Sequence, residues 1–337
     1  MSKTVSRSIR AAFTALVIAG LVLFARTVSW SLTWEHIAQA NRTILLVAAI
    51  VNLLSLALKG VRWWIFLRPA GVPSLWLALR ATVAGAGLNN ILVANGGDAA
   101  RVVFVARTAH VDSAKVLASL VLERMFELVG YVVMFVAVVS FFELPLRVAR
   151  ARPVAWLALL LAVALMIYLV RRPHLDEIRV LQTNADRSRG RVREFLRRFG
   201  TTVGGISTGR RFTVALTLSV GIGAMQVWTY ALTARAADFN LSLVGTVSAL
   251  LAVNLGFALR ATPGNVGVFQ ALYALVATAF GMDRDQALAV AVLIQTLQVI
   301  PVTLIGVALA PEFIFKRRGM RAVDSGLELH SRPEEPP

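Results

Sequence analysis

The sequence contains no cysteine, which excludes a disulfide framework, a thiol nucleophile and a thiolate metal site. Acidic residues are scarce: 18 Asp and Glu stand against 35 Lys and Arg, for a formal net charge of +17. That excess does not read as a nucleic-acid footprint, because the basic residues sit mainly in loops beside apolar runs, and no nucleic-acid partner is expected. The four histidines, His36, His110, His174 and His330, lie far apart without metal-ligand spacing, so no metal is expected, and no cofactor either. A phosphate-binding GxxxxGKS/T loop, a GxSxG elbow and an HExxH pair are all missing, so no motif points to hydrolysis of nucleotide or peptide. Also missing is a polar stretch able to fold alone, since the longest, 171–211, has no apolar run from which to build a core.

What is present is apolar. Hydrophobic residues make up 57% of the chain and mean hydropathy is +0.70, spread along nearly its whole length, which places it among polytopic membrane proteins. Continuous apolar segments run from Ala11 to Ala25, Ile44 to Leu58, Val116 to Phe142, Val154 to Val170, Phe212 to Ala234 and Ala287 to Ala310. The first two are short for a hydrocarbon core of about 30 Å and recruit flanking residues or cross obliquely. The first is read as a retained span, because FARTVSW after it offers no small-x-small cleavage site. Two further apolar segments, about 75–107 and 243–280, are interrupted by glycine and polar residues, and each can be one crossing, two crossings or a re-entrant hairpin.

The two interrupted segments occupy corresponding places. VDSAKVLASLVLERMFELV begins at Val111 after the first, and MDRDQALAVAVLIQTLQVI begins at Met282 after the second. Paired broken segments in two halves are the signature of an inverted-repeat transporter, with unwound backbone near the bilayer midplane forming the substrate site. With both segments as hairpins, six spans put both termini and the loops 59–115 and 171–211 on one face. That face carries most of the Lys and Arg, so it is expected to be cytoplasmic, and the hairpins then enter from opposite sides. The expected architecture is all-α: an inverted-topology repeat of about six transmembrane helices plus two re-entrant helical hairpins. Residues 1–152 form the first repeat (two spans, hairpin about 75–107, span 116–142). Residues 153–310 form the second (span 154–170, basic cytoplasmic loop 171–211, span 212–234, hairpin about 243–280, span 287–310). Residues 311–337 are a polar, disordered cytoplasmic tail. Within the basic loop, Val192, Phe195, Leu196 and Phe199 recur at helical spacing, either as an amphipathic helix on an anionic leaflet or as part of a solvated linker.

Candidate chemistry concentrates around the first hairpin. Asp98 and Arg101 are three apart and can face each other on a helix, and Glu123, Arg124 and Glu127 fall inside the next span. Glu123 lies roughly 10 Å along that helix, where an unpaired charge costs about 2.5–3.5 kcal/mol. The group is therefore either an anionic-headgroup site or proton relay, or an ion-pair cluster locking hairpin to helix. At the hairpin tips, Asn89, Asn90, Asn95, Gly96 and Gly97 in one half, and Thr262, Pro263, Gly264, Asn265 and Gly267 in the other, suit an unwound turn. Either the tips form the passage or they simply pack tightly. Amides starting a helix at Gly267 could hold a phosphate. Asn254, Gln270, Gln295 and Gln298 are the polar content of the second half, with Gln295 aligned to Arg124 and Gln298 to Glu127. They either line a pathway or cross-link helices. Trp30, Trp34, Trp63 and Trp64 read as interface anchors.

These residues resemble the transmembrane flippase-like family typified by the membrane region of lysylphosphatidylglycerol synthetase, over about Ala11 to Ala310. The resemblance rests on Arg62 with Trp63, on Asn90 through Gly97 with Asp98 and Arg101 (the family's G-E-x-x-R stretch), on Glu123 with Arg124 (its E-R pair), and on Pro263, Gly264 and Gly267 (its P-G-G-x-G stretch). Asp98 stands where the family has glutamate, no proline precedes it, Asn265 replaces a glycine, and Gln270 and Gln295 stand at glutamate and arginine positions. The resemblance implies translocation of a polar or charged lipid, or a lipid-linked precursor, between leaflets of the cell inner membrane, without chemistry in this region. The expected partners are anionic membrane lipids. Without the soluble aminoacyl-transferring domain, the chain is not expected to aminoacylate lipid. In the implied mechanism Arg101 and Arg124 neutralise an anionic headgroup, Asp98, Glu123 and Glu127 set its pairing, and the glycine-rich tips form the passage. A channel or secondary transporter for a small solute, and a membrane enzyme using Glu123 or Asp98 as acid or base, are the alternatives.

Overall fold

A computed structural model describes residues 29–91, 96–142, 209–256 and 265–309, together with six helical positions between 153 and 164. The first span, the basic loop up to 208, the tail and the tip residues Asn95, Thr262, Pro263 and Gly264 lie outside the described residues, as does most of the span 154–170. The described structure is all-helical. In chain order the helices are α1 (Trp30–Gln39), α2 (Arg42–Leu67, continued by a 3₁₀ turn Arg68–Ala70), α3 (Leu75–Ile91), α4 (Gly96–Thr108), α5 (Ser113–Phe141), α6 (Gly209–Ala236), α7 (Leu243–Gly256), α8 (Val268–Ala279) and α9 (Arg284–Leu309). The helices of α2, α6 and α9 are long and apolar enough to cross a membrane, and the chain is a multi-pass membrane protein.

The boundaries follow local chemistry. Asn41 caps α2 by accepting the amides of Thr43 and Ile44, and Asp112 caps α5 by accepting that of Ala114. Four helix ends close by the same device, in which an amide reaches back five residues past a left-handed residue: Val72 to Leu67 past Gly71, Val111 to Ala106 past His110, Phe239 to Ala234 past Asp238, and Met282 to Ala277 past Gly281. The apolar run Ile44–Leu58 proves to be part of a longer helix, because α2 continues through Lys59 and Arg62, whose charges are paired inside the protein. Each interrupted segment is a pair of packed helices, α3 with α4 and α7 with α8. Helix α1, which carries Trp30 and Trp34, is an element that interface anchoring alone does not foresee.

Two cores form, one from each half. Trp63, Phe66 and Phe126 centre a cluster built mainly from α2 to α5, while Tyr230, Phe269 and Tyr273 centre one built mainly from α6 to α9. The halves join where α2 packs along α6, the most extensive helix pairing, and where α3 crosses α9. At that crossing a Cβ on Gly306 would stand 2.8 Å from the Gly87 Cα and 2.9 Å from the Val83 carbonyl oxygen, so only glycine allows the approach. Pro301 interrupts α9 and leaves the Leu297 carbonyl without its helical donor. The Asn52 amide, 3.4 Å away on α2, donates to it, which satisfies backbone inside the bundle.

The α3–α9 crossing is testable. Gly306→Ala is expected to destabilise the detergent-solubilised protein by about 1–3 kcal/mol, as overpacking does. Gly221→Ala on α6, where an added Cβ meets nothing within 4 Å, is expected to be neutral or stabilising by up to about 1 kcal/mol. Thermal unfolding of the two variants reads the difference, and equal midpoints would remove the crossing as a constraint.

Candidate functional site

Among the described residues, the charged side chains buried in the bundle gather into one network. Asp98 on α4 sits between two guanidinium groups: Arg124 Nη2 lies 2.8 Å from its Oδ2, and Arg101 Nε lies 3.3 Å from its Oδ1. Arg101 Nη2 pairs with Glu123 Oε2 at 2.7 Å, and Arg62 Nη2 approaches Glu123 Oε1 at 3.7 Å. On the outer side Glu127 bridges two cations, with Lys59 Nζ at 2.9 Å from Oε1 and Arg124 Nη1 at 2.8 Å from Oε2. Charges taken from water are retained only when paired and hydrogen-bonded, and this network meets that demand with groups from α2, α4 and α5.

Local structure sets each position. The Asn89 side chain on α3 accepts from the amides of Gly97 and Asp98, at 2.9 and 3.2 Å, and donates to Asp98 Oδ1 at 3.0 Å. It thereby serves the free amides that open α4. A Cβ on Gly97 would collide with the Gly85 carbonyl oxygen, and one on Gly85 would press on Arg101, so these glycines let α4 lie close against α3 with Arg101 over the contact. The Arg101 guanidinium stacks 4.5 Å from the centre of the Trp63 ring, and the Trp63 indole donates to Ser119 Oγ at 3.1 Å. Arg62, fully buried, donates from Nη1 to Ser219 Oγ at 3.0 Å, tying the network to α6.

Beside the network lies a cavity of about 1410 Å³. Lys59, Asp98, Arg124 and Glu127 form its charged wall, and the Arg124 side chain is 47% exposed. Asn52, Ser55, Asn254 and Gln298 contribute neutral polar groups. The apolar rim of the cavity is formed by Val103 on α4, Leu117 and Leu128 on α5 and Leu255 on α7, which line it and are also exposed. A polar floor with an apolar lip can hold a charged group while leaving hydrocarbon chains outside.

Among the residues expected from the sequence, Asp98, Arg124, Glu127 and Asn90 line the cavity, and the side chain of Asn90 also donates to Thr303 Oγ1 on α9 at 3.0 Å. Arg101 and Glu123 lie behind the wall. Gly96 and Gly97 begin α4, with Gly97 in a packing role. In the other half, the Gly267 amide donates to Gln270 Oε1 at 2.6 Å, and Gln270 in turn donates to Gln295. This amide pair joins α8 to α9 away from the cavity lining. Asn265 is left-handed and buried, and its side-chain oxygen and nitrogen have no hydrogen-bond partner among the described residues. Lys59 went unnoticed in the sequence. Its signal was Lys59 and Arg62 at i and i+3 within an otherwise uncharged helix, a pair expected to meet acids.

A protein-family description, the lysylphosphatidylglycerol synthase TM region, matches residues 11–306, a range containing both cores, the ionic network and the cavity. No curated protein matches the chain.

Burial separates the two arginines that hold Asp98. Arg101→Ala leaves Glu123 facing only the more distant Arg62 and is expected to cost roughly 3–5 kcal/mol, as for a broken buried pair. Arg124→Gln, at the water-facing edge, is expected to cost clearly less. Thermal unfolding of the purified variants checks this order, and a larger loss for Arg124→Gln would reverse the assignment of interior and wall.

Proposed function

The chain belongs to the lysylphosphatidylglycerol synthase transmembrane-region family, and from that premise we propose that it moves a polar or anionic lipid, or a lipid-linked precursor, between the leaflets of the cytoplasmic membrane without altering it chemically. The observation that carries this reading is the cavity: charged on its inner wall and apolar at an exposed rim contributed by α4, α5 and α7. A headgroup enters and contacts Lys59 and Arg124 while its acyl chains stay in lipid. Asp98 and Glu127 hold those cations in place between substrates, and Arg101, Glu123 and Arg62 anchor the wall from behind. Group transfer would need an acid or base free to exchange a proton with substrate, whereas Asp98 and Glu127 are each held by two cations, which favours transport over catalysis.

The order of elements supports an inverted repeat. A long helix, a short helix pair and a second long helix occur as α2 to α5 and again as α6 to α9, and the left-handed helix ends at Gly71 and His110 are matched by those at Asp238 and Gly281. Asp98, third residue of α4, reaches Arg124 on α5, and Gln270, third residue of α8, reaches Gln295 on α9. In this reading α3–α4 and α7–α8 are re-entrant hairpins entering from opposite faces, with both termini cytoplasmic. Single cysteines at Ser74 and Asp112 are then expected to react from the same compartment. Labelling from different compartments would contradict the first hairpin.

In liposomes with labelled anionic phospholipid or polyprenyl-phosphate lipid, the purified protein is expected to accelerate exchange between leaflets. A cysteine pair at Leu128 and Leu251, which line the cavity from α5 and α7, is expected to abolish that acceleration when bridged by a short bifunctional reagent. The unbridged pair is expected to remain active. Exchange no faster than in empty liposomes, with uptake of a water-soluble solute by the same preparation, would favour the solute-transporter reading.

A further inference from the structure

We propose that the cavity selects a lipid with one net negative charge on a phosphodiester and a neutral, hydroxyl-rich group beyond it; this deepens the reading of the cavity as a lipid-headgroup site and rests on it. Two independent features of the lining point to that class.

The first is charge balance. The network holds four cations, Lys59, Arg62, Arg101 and Arg124, against three carboxylates, Asp98, Glu123 and Glu127. Within this network of described residues one positive charge is left over, where an uncompensated charge is costly. A single added anion neutralises the group, whereas a cation worsens the imbalance and a dianion overshoots it. The place for that anion is at the wall, where Lys59 and Arg124 already bracket the two oxygens of the Glu127 carboxylate. The two free oxygens of a phosphodiester present the same kind of acceptor pair to the same two cations.

The second feature is the chemistry of the remaining polar lining, which is neutral. Asn52, Ser55, Asn254 and Gln298 supply amides and a hydroxyl, and the phenols of Tyr131 and Tyr230 add two more hydroxyl groups. Such groups both donate and accept, as do the hydroxyls of a sugar or polyol, and they offer nothing to balance a second charge. Tyr131 already donates to Gln226, and Asn254 to the carbonyl of Leu250 on its own helix. These bonds fix the side chains in place and leave the Asn254 amide oxygen and the Tyr131 hydroxyl oxygen able to accept from substrate.

Three lipids that differ only in headgroup separate the features: phosphatidylinositol is monoanionic and hydroxyl-rich, phosphatidylethanol is monoanionic without hydroxyls, and phosphatidylcholine has no net charge. Competitive binding of the three to the purified wild-type protein, read by native mass spectrometry, is expected to rank them in that order. The step between the first two is expected to be on the order of tenfold, the worth of one to three net hydrogen bonds. Asn254→Leu combined with Gln298→Leu is expected to erase that step and leave phosphatidylethanol binding unchanged. Lys59→Gln is expected to weaken both anionic lipids alike. Phosphatidylcholine binding as well as phosphatidylinositol would overturn the charge argument, and equal binding of phosphatidylinositol and phosphatidylethanol would overturn the hydroxyl argument. Leaflet exchange measured on the same preparation reads the transport proposal separately. Selective binding without exchange would defeat transport and leave this inference standing, and exchange without selectivity would do the reverse.

Discussion

Seven charged side chains inside an apolar bundle impose the constraint on which the rest of the structure depends. A charge removed from water is costly unless it finds an opposite charge at hydrogen-bonding distance, so Asp98, Arg101, Glu123, Arg124 and Glu127 must meet Lys59 and Arg62, and α2, α4 and α5 must converge to allow it. Asn89 has to cap α4 for Asp98 to point at both arginines, and Gly85 and Gly97 have to be small for α4 to approach α3. In the second half the corresponding contact between α8 and α9 is an amide pair, Gln270 with Gln295, which needs no counter-charge. The charge among the described residues is therefore concentrated on α2, α4 and α5, which supply the charged wall of the cavity.

The same asymmetry appears in how the halves meet. Helix α3 meets α9 through Gly87 and Gly306, close enough that no side chain fits between. Helices α5 and α7, which stand in the matching places of the proposed repeat, touch far less than α3 and α9 do, and both line the cavity, with Leu128, Val132 and Phe135 from one and Leu251 and Leu255 from the other. Glycines close the first seam, and the second contributes to the cavity wall.

Much of this was legible in the sequence, for identifiable reasons. Helical spacing alone paired Asp98 with Arg101, and that pair forms. Long uninterrupted apolar runs located α5, α6 and α9 to within a few residues, and glycine with polar residues marked where the short helix pairs turn. Pairings between distant segments were hidden, because nothing local links Lys59 to Glu127 or Asn52 to the carbonyl that Pro301 frees. The extension of α2 was missed for a related reason: charge ends an apolar run on paper, while in the bundle that charge is neutralised from another helix. The division of roles between Arg101 and Arg124 was also out of reach, since burial behind or at a cavity wall is a property of the packed bundle.

Lipid transport through this protein requires a headgroup to occupy the cavity lined by α2, α4, α5 and α7. The most direct measurement is photo-crosslinking with an anionic phospholipid bearing a photoreactive headgroup in a reconstituted bilayer, with adducts mapped by mass spectrometry. The account predicts adducts at the cavity wall, around Ser55 to Lys59, Arg124 to Leu128 and Asn254. Adducts confined to lipid-facing positions such as Trp228 and Leu304, which are exposed on other faces of the bundle, would contradict it.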